Sequence, residues 1–406
     1  MNNDNIKFEV IKKISETRFR YKDFGNISKL DSSSPPSVFI GSKLRYPLVN
    51  VGIISPLERD ENAWLYDDAK YWADNNFGIN DVINLRNSLL NSRFQSQVTD
   101  TRTSQSGKKF VEIAQEIAIA SKPVDVEIEL KNKLNLDRKR DRVLMHQGMR
   151  GNLKQAKITS NVKVDRRVDK VINDEIKASE GMQYLFKNNF SEYTLSKILS
   201  VGVLGLKKNK RLVPTRWSIT ATDDTLGKNI LKQVRDYKWV EDYELFFGEF
   251  MGNCYLIMLF PNVWSYELFE LYLPRSSWNP SQEIKASTDY ESYSGRKEYA
   301  TATAGGYYAS RLPIIQHLNN IKRQAGVLVI RIETPSYWAA LGVWVCREAS
   351  RKTIKKGPIK FDSKEELLNC TKIVSTKKFD ISIDDILKKS KLLSQIDIQK
   401  KISEFF

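Results

Sequence analysis

Strict alternation marks Val124-Asp-Val-Glu-Ile-Glu-Leu130, where every second residue is apolar. Side chains alternate across a strand, so this segment has one dry face and one wet face. Val38-Phe-Ile-Gly41 and Val49-Asn-Val-Gly-Ile-Ile54 are β-branched and punctuated by glycine, which predicts strands whose backbone closes on a neighbour. A 3.6-residue period places helices over 80–94 and 108–121 and again across 166–200, and residues 7–22 have the spacing of a basic amphipathic helix. Asp31-Ser-Ser-Ser-Pro-Pro-Ser37 reads as a turn segment. Residues 132–165 are polar and basic and predict a loop that contains Asp137-Arg-Lys-Arg-Asp-Arg142. Ser218 to Ala221 reads as a short strand, and Thr222-Asp-Asp-Thr225 as a helix N-cap. Aromatic-rich strands fill 238–273. A helix from Tyr307 to Gln324, a strand from Val327 to Ile332 and an apolar run from Ala340 to Val345 follow.

This order of elements predicts a mixed α/β fold. Pro274-Arg-Ser-Ser-Trp-Asn-Pro-Ser281 and the polar residues up to Thr288 form the clearest break. It separates a region 1–274 from a region 289–380, with a basic cleft expected between them. After about residue 350 the chain is rich in lysine and short of aromatics. Residues 381–406 therefore read as a flexible, solvated tail.

Charge narrows the partners. The 406 residues carry 65 Lys and Arg against 49 Asp and Glu, a formal net charge of +16. Such an excess points to a polyanion, with nucleic acid first among them. The three cysteines, Cys254, Cys346 and Cys370, are far apart, so no zinc-finger spacing exists and a reducing cytoplasm is expected. No apolar run reaches the roughly 18 residues of a membrane span. His146 and His317 are the chain's two histidines, which excludes multi-histidine metal sites, and His317 follows Ile314-Ile315 as a packed residue would.

Gln399, Ile402, Phe405 and Phe406 fit a Gln-x-x-aliphatic-x-x-aromatic-aromatic pattern. It resembles the peptide by which many partners dock on the replication sliding clamp, the PCNA-type ring. One tight helical turn would bring Ile402 and both phenylalanines to one side as an apolar plug, with Gln399 bonding at the rim. Burying each phenylalanine is worth about 1.5–3 kcal/mol, so micromolar affinity is expected.

Three further stretches place charge beside small residues and aromatics. In the first, Arg211 and Arg216 suit phosphate contacts and Trp217 suits base stacking. In the second, Asp289 to Arg296, the arginine is a phosphate contact. The third opens on Gly305 and Gly306, whose N–H groups at a helix start would seat a phosphate, with Tyr307, Tyr308, Arg311, Lys322 and Arg323 following. Asp223, Asp224, Asp289 and Glu291 form an acidic set able to bind Mg²⁺ or Mn²⁺ in an alternative reading. That alternative is a metal-dependent nuclease or a nucleotide-processing hydrolase or transferase. Pro123-Val-Asp125 to Glu129-Leu-Lys131 has a nuclease-like order, but its alternation reads more simply as the wet side of a strand.

Ser33-Ser-Pro-Pro-Ser-Val-Phe-Ile-Gly41, Arg211-Leu-Val-Pro-Thr-Arg-Trp-Ser-Ile-Thr-Ala221, Gly305-Gly-Tyr-Tyr-Ala-Ser-Arg-Leu312 and Leu341-Gly-Val-Trp-Val-Cys-Arg-Glu348 resemble the archaeal Nre proteins of NreA type. The resemblance spans nearly the whole chain. It implies an archaeal cytoplasmic factor of the DNA-damage response, tethered to the sliding clamp and built of an N-terminal and a C-terminal region. Some members carry an N-terminal Cys-x-x-Cys zinc module, which this sequence lacks. Removing residues 399–406, or changing Phe405 and Phe406 to Ala, is expected to abolish clamp binding in calorimetry without altering the fold. Undiminished affinity would sink the assignment.

Overall fold

The computed structural model describes residues 27–41, 47–102, 108–132, 134 and 148–398. The helix expected over 7–22, the basic run Asp137 to Arg142, His146 and the clamp motif (Gln399, Ile402, Phe405 and Phe406) lie outside the described residues. Packing divides the chain into two compact units that meet between Leu226 and Gly227. Among the described residues there are two six-stranded sheets, one in each unit, and twelve α-helices.

The first unit contains β1 (Lys29–Ser34), β2 (Val38–Ile40), β3 (Leu48–Ser55), α1 (Ala69–Asp74), α2 (Ile79–Asn87), β4 (Leu90–Gln97), α3 (Lys109–Ile119), β5 (Val124–Leu130) and β6 (Met149–Ile158). Helices α4 (Arg166–Asn173), α5 (Ala178–Lys187) and α6 (Glu192–Ser200) follow, and α7 (Thr215–Val234) leads into the second unit. The sheet order is β1-β5-β6-β4-β3-β2. Only β4 and β6 run parallel among its described pairs. The alternation of β5 is realised, with Val124, Val126, Ile128 and Leu130 buried.

Four expectations are corrected here. The serine-rich turn segment begins as strand β1, paired with β5 from Lys29↔Glu129 to Ser34↔Val124. Its hydroxyls find partners across the fold: Ser32 Oγ donates to the Pro56 carbonyl at 2.6 Å and Ser33 Oγ to Asp125 at 2.8 Å. The helix expected over 80–94 stops at Asn87, because the residues from Leu90 onward pair with β3 along its full length. The loop expected over 132–165 contains β6. Its alternation is hidden by many charged residues and by a register shift at Glu129/Leu130. Finally, Ser218 to Thr225 is neither strand nor cap but the interior of α7. Trp217 and Ser218 N–H groups already donate to the Pro214 carbonyl, so the helix starts earlier.

The second unit contains β7 (Tyr243–Phe250), β8 (Asn253–Phe260), β9 (Ser265–Tyr272), β10 (Lys285–Glu291), α8 (Gly306–Ile321), β11 (Gly326–Glu333), α9 (Trp344–Lys355) and β12 (Ile359–Phe361). It ends with α10 (Lys364–Phe379), α11 (Asp384–Lys389) and α12 (Lys391–Ile398). The strand order is β10-β9-β11-β8-β7-β12, with β9 and β11 parallel. Every residue of β8 and β11 is buried. Helices cover both faces, which is why these strands read as nearly continuous apolar runs. On one face Leu256, Met258, Leu328 and Ile330 share a core with Leu367, Leu387, Leu392 and Leu393 from α10, α11 and α12. On the other, Tyr255 Oη meets Ser310 Oγ of α8 at 2.8 Å.

The break at 274–288 is thus a connection within one sheet, since β9 pairs with both β10 and β11. The lysine-rich stretch after residue 350 is also corrected. Through Ile398 it forms helices that turn leucines inward and leave lysines outside.

His317 lies on α8, edge-on to Phe246 with ring centroids 5.4 Å apart, and burial lowers its pKa. Its native form is the neutral imidazole, whereas the unfolded side chain takes up a proton near pH 6.5. Stability is therefore expected to fall as pH drops through about 6.5. His317→Leu should flatten this acid limb in urea midpoints measured from about pH 7 to 5. An unchanged slope would contradict the assignment.

Candidate functional site

The basic side chains of the middle motif sit where α7 begins. Arg211 lies in the preceding loop, and Arg216 and Trp217 occupy the first helical turn; all three are exposed, Trp217 to 50%. Nearby in the same unit is an open cavity of about 340 Å³ lined by Asp100, Lys108, Glu112, Glu175, Lys207 and Lys210 among others. Its charges partly neutralise one another. Lys108 pairs with Asp100 at 3.1 Å, and Lys210 donates to the Ile172 carbonyl at 2.8 Å. Burial lowers the Lys210 pKa.

Asp223 and Asp224 sit mid-helix on α7, and Asp223 is buried. In the first sheet, Asp125 bonds Ser33 and Glu129 pairs with Lys154 at 2.8 Å, so the wet-face reading of that strand describes them well. Among the described residues, no three His, Cys, Asp or Glu side chains converge to hold a metal ion.

In the second unit the predicted residues divide into a buried set and an exposed set. Asp289 and Glu291 are two apart on β10 and therefore share a face. Asp289 accepts from the Thr303 N–H at 2.7 Å and pairs with Arg296 at 3.0 Å. Glu291 accepts from Arg311 at 2.8 Å and from Trp264 Nε1 at 2.9 Å. Arg311, 2% exposed, is thus a structural cation inside the unit and offers no surface to a phosphate. Tyr307 and Tyr308 are buried as well, and the Tyr308 hydroxyl accepts the Ala300 N–H at 3.0 Å. Lys322, at the end of α8, is exposed, while Arg323 pairs with Glu241 at 2.7 Å.

The glycine pair has a steric reason. Gly305 has φ +80°, a backbone region that favours glycine. A Cβ on Gly306 would lie 2.2 Å from Glu270 Oε1. The anion at the start of α8 is therefore the chain's own carboxylate, well placed at the positive end of a helix.

Glu270 belongs to a network that the motifs did not reveal. Arg331, in the middle of buried β11, donates to Glu270 at 2.6 Å, to Glu333 at 2.9 Å and to Asn253 at 2.6 and 2.9 Å. Tyr272 Oη also donates to Glu270, at 2.6 Å. Burial opposes the Arg331 charge, but Cys346, Glu270, Tyr255 and Glu333 around it hold its pKa above the usual arginine value. Burial raises the Glu333 pKa, with Arg331 working in the opposite direction. The sequence signal was a charged residue inside an apolar strand, as in Gly326–Glu333 and Ser265–Tyr272.

The models of two protein regions match this chain: the N-terminal region of archaeal Nre over residues 5–279, and its C-terminal region over 291–405. The chain belongs to the archaeal Nre family. It is 42% identical over 321 residues to the DNA repair protein NreA of Haloferax volcanii, covering 78% of this chain and 76% of that one. To the DNA repair protein NreA of Archaeoglobus fulgidus it is 37% identical over 342 residues, 84% of each chain. The DNA repair protein NreB of the same organism is 35% identical over 338 residues, 83% of each. No solved structure matches. The two Nre regions meet near 279–291, whereas packing divides the chain inside α7. Strands β7 to β9 of the N-terminal region complete the sheet of the C-terminal one. The family stretches map onto β1 and β2, the start of α7, the first turns of α8, and the loop entering α9.

Arg331→Ala would leave Glu270 and Glu333 as uncompensated buried carboxylates. A loss of about 3–5 kcal/mol is expected, against about 0.5 kcal/mol or less for exposed Lys322→Ala. Urea unfolding of both variants measures the difference, and equal midpoints would contradict this account of the network.

Proposed function

We propose that this Nre chain is an archaeal DNA-repair factor that docks on a PCNA-type sliding clamp and binds DNA or nucleotides through exposed basic side chains. The clamp contacts are Gln399, Ile402, Phe405 and Phe406. Arg211, Arg216 and Lys322 supply phosphate contacts, and Trp217 supplies a stacking surface.

The observation that carries the reading is the spacing of those four clamp residues, which starts directly after Ile398. Helix α12 is anchored at its first turn. Buried Glu267 accepts from Ser390 Oγ at 2.6 Å and from the N–H groups of Lys391 and Leu392 at 3.1 and 3.0 Å. Leu392 and Leu393 sit in the core beneath. In sequence the motif thus follows directly on a helix whose first turn is anchored. A short connection keeps the body at high effective concentration near clamp-bound DNA. The repair role is supported by relatives named DNA repair proteins along most of their length, and DNA binding by the charge of +16.

The alternative of a metal-dependent nuclease or nucleotide-processing enzyme draws no support from Asp289 and Glu291, which Arg296 and Arg311 engage. An archaeal strain lacking its own Nre protein should regain survival after DNA damage when given the full chain. The chain lacking 399–406 should fail to restore it at equal abundance. Full rescue by the truncated chain would overturn the clamp-dependent part.

A further inference from the structure

The stretch Asp289 to Arg296 predicts a phosphate contact at Arg296, and the loop 292–299 is where this arginine lies. Its structure gives Arg296 a different task. The guanidinium donates to the carbonyls of Tyr290 at 2.8 Å, Glu298 at 3.3 Å and Tyr299 at 3.3 Å, besides pairing with Asp289. It is the hub that gives the loop its shape. A tight turn, closed by the Gly295 N–H on the Ser292 carbonyl at 2.8 Å, sets Tyr293 at its tip. Gly295, which closes the turn, has φ +84°, a backbone region that favours glycine.

Two tyrosines are presented outward by this scaffold, Tyr293 at 45% and Tyr299 at 46% exposure. Each is fixed from behind. Tyr299 stacks on buried Tyr308, ring centroids 5.3 Å apart and 29° between planes. Tyr293 lies against Arg235, whose guanidinium carbon is 5.2 Å from the ring centre. Arg235 has no carboxylate partner among the described residues, and its buried Nε has no hydrogen-bond acceptor. Exposed Lys297 adds charge, and Glu298 is the single acid in the segment.

We infer that Tyr293 and Tyr299, with Arg235 and Lys297, form a stacking surface for single-stranded nucleic acid. Each base offers a face to an exposed ring, and the sugar-phosphate backbone meets cations that have no carboxylate partner among the described residues. Duplex DNA keeps its bases stacked inside and has no faces to offer. The rings are already immobilised, so little side-chain freedom is lost on binding. The inference rests on the DNA-binding part of the proposed function and adds a strand preference to it.

The test uses the full chain and a fluorescein-labelled oligo-dT, read by anisotropy beside a duplex of equal length. The unaltered protein should prefer the single strand. Y293A together with Y299A should weaken oligo-dT binding by about ten-fold or more and change duplex binding less than about two-fold. Y293F with Y299F, which keeps both rings, should retain the affinity. Arg235→Gln, outside the loop, should lower the salt slope by about one. Clamp affinity should stay unchanged in every variant, and each should keep a single cooperative urea transition. If the unaltered chain binds neither DNA, the DNA-binding reading itself fails. If it binds and the alanine variant binds equally well, or loses duplex and single strand alike, only the stacking surface is overturned.

Discussion

A guanidinium in the middle of a strand buried on both faces must be neutralised where it stands. Arg331 is in that position, and much of the second unit is arranged around it. Its partners come from three strands: Glu270 on β9, Asn253 on β8 and Glu333 on β11 itself. Strand order and register must be right for those groups to converge. Glu270 then has a second neighbour, since its carboxylate fills the space that a Cβ on Gly306 would need at the start of α8. One turn further along, Arg311 reaches Glu291 on β10 and stands 5.8 Å from the Trp264 ring centre. Ion pairs thus connect the sheet to the helix that covers it. Buried pairs of this kind contribute little net stability compared with apolar packing, but removing one partner is costly. They favour one arrangement strongly over its alternatives.

The opposite face of the same sheet solves a different problem. There the core is largely apolar, and buried Glu267 turns to the first turn of α12. Buried N–H groups need acceptors, and a helix start favours a negative charge. One carboxylate meets both needs and so fixes the last described helix on the sheet. This matters for the proposed role, because the clamp pattern starts at the next residue. The surface features proposed to meet DNA are likewise held from within. Arg296 organises the 292–299 loop by bonding its carbonyls, and buried Tyr308 backs the ring of Tyr299.

The legible parts of this protein were those encoded by short-range patterns. The alternation of β5, the β-branched runs of β2 and β3, the helical period of α3 and the buried strands β8 and β11 depend on neighbours in sequence. The packed state of His317 was also readable, from its place in a helical pattern. So were the clamp pattern and the four family stretches, because they consist of residue identities at fixed spacings. The misread segments share one cause. For β1, serine hydroxyls that usually favour turns are satisfied by carbonyls and a carboxylate of distant residues. The end of α2 and the start of β4 are set by pairing with β3. Leucines spaced along a lysine-rich stretch become a core only when a sheet lies beneath them.

Sequence alone therefore determined the mixed α/β class, the family, the basic character and the spacing of the terminal pattern. Tertiary structure decided which charges face water. Arg216 and Lys322 stay outside, while Arg311 and Arg331 go in with carboxylates far away along the chain. Local sequence carries no mark of that difference, because an arginine has the same propensities whether its counter-ion is a phosphate or a glutamate of the same protein. Only the fold brings Glu291 to Arg311, Glu270 to Gly306 and Arg235 to Tyr293. The physical reason is that desolvation and ion pairing depend on three-dimensional neighbours, whereas periodicity and motif spacing depend on the chain itself.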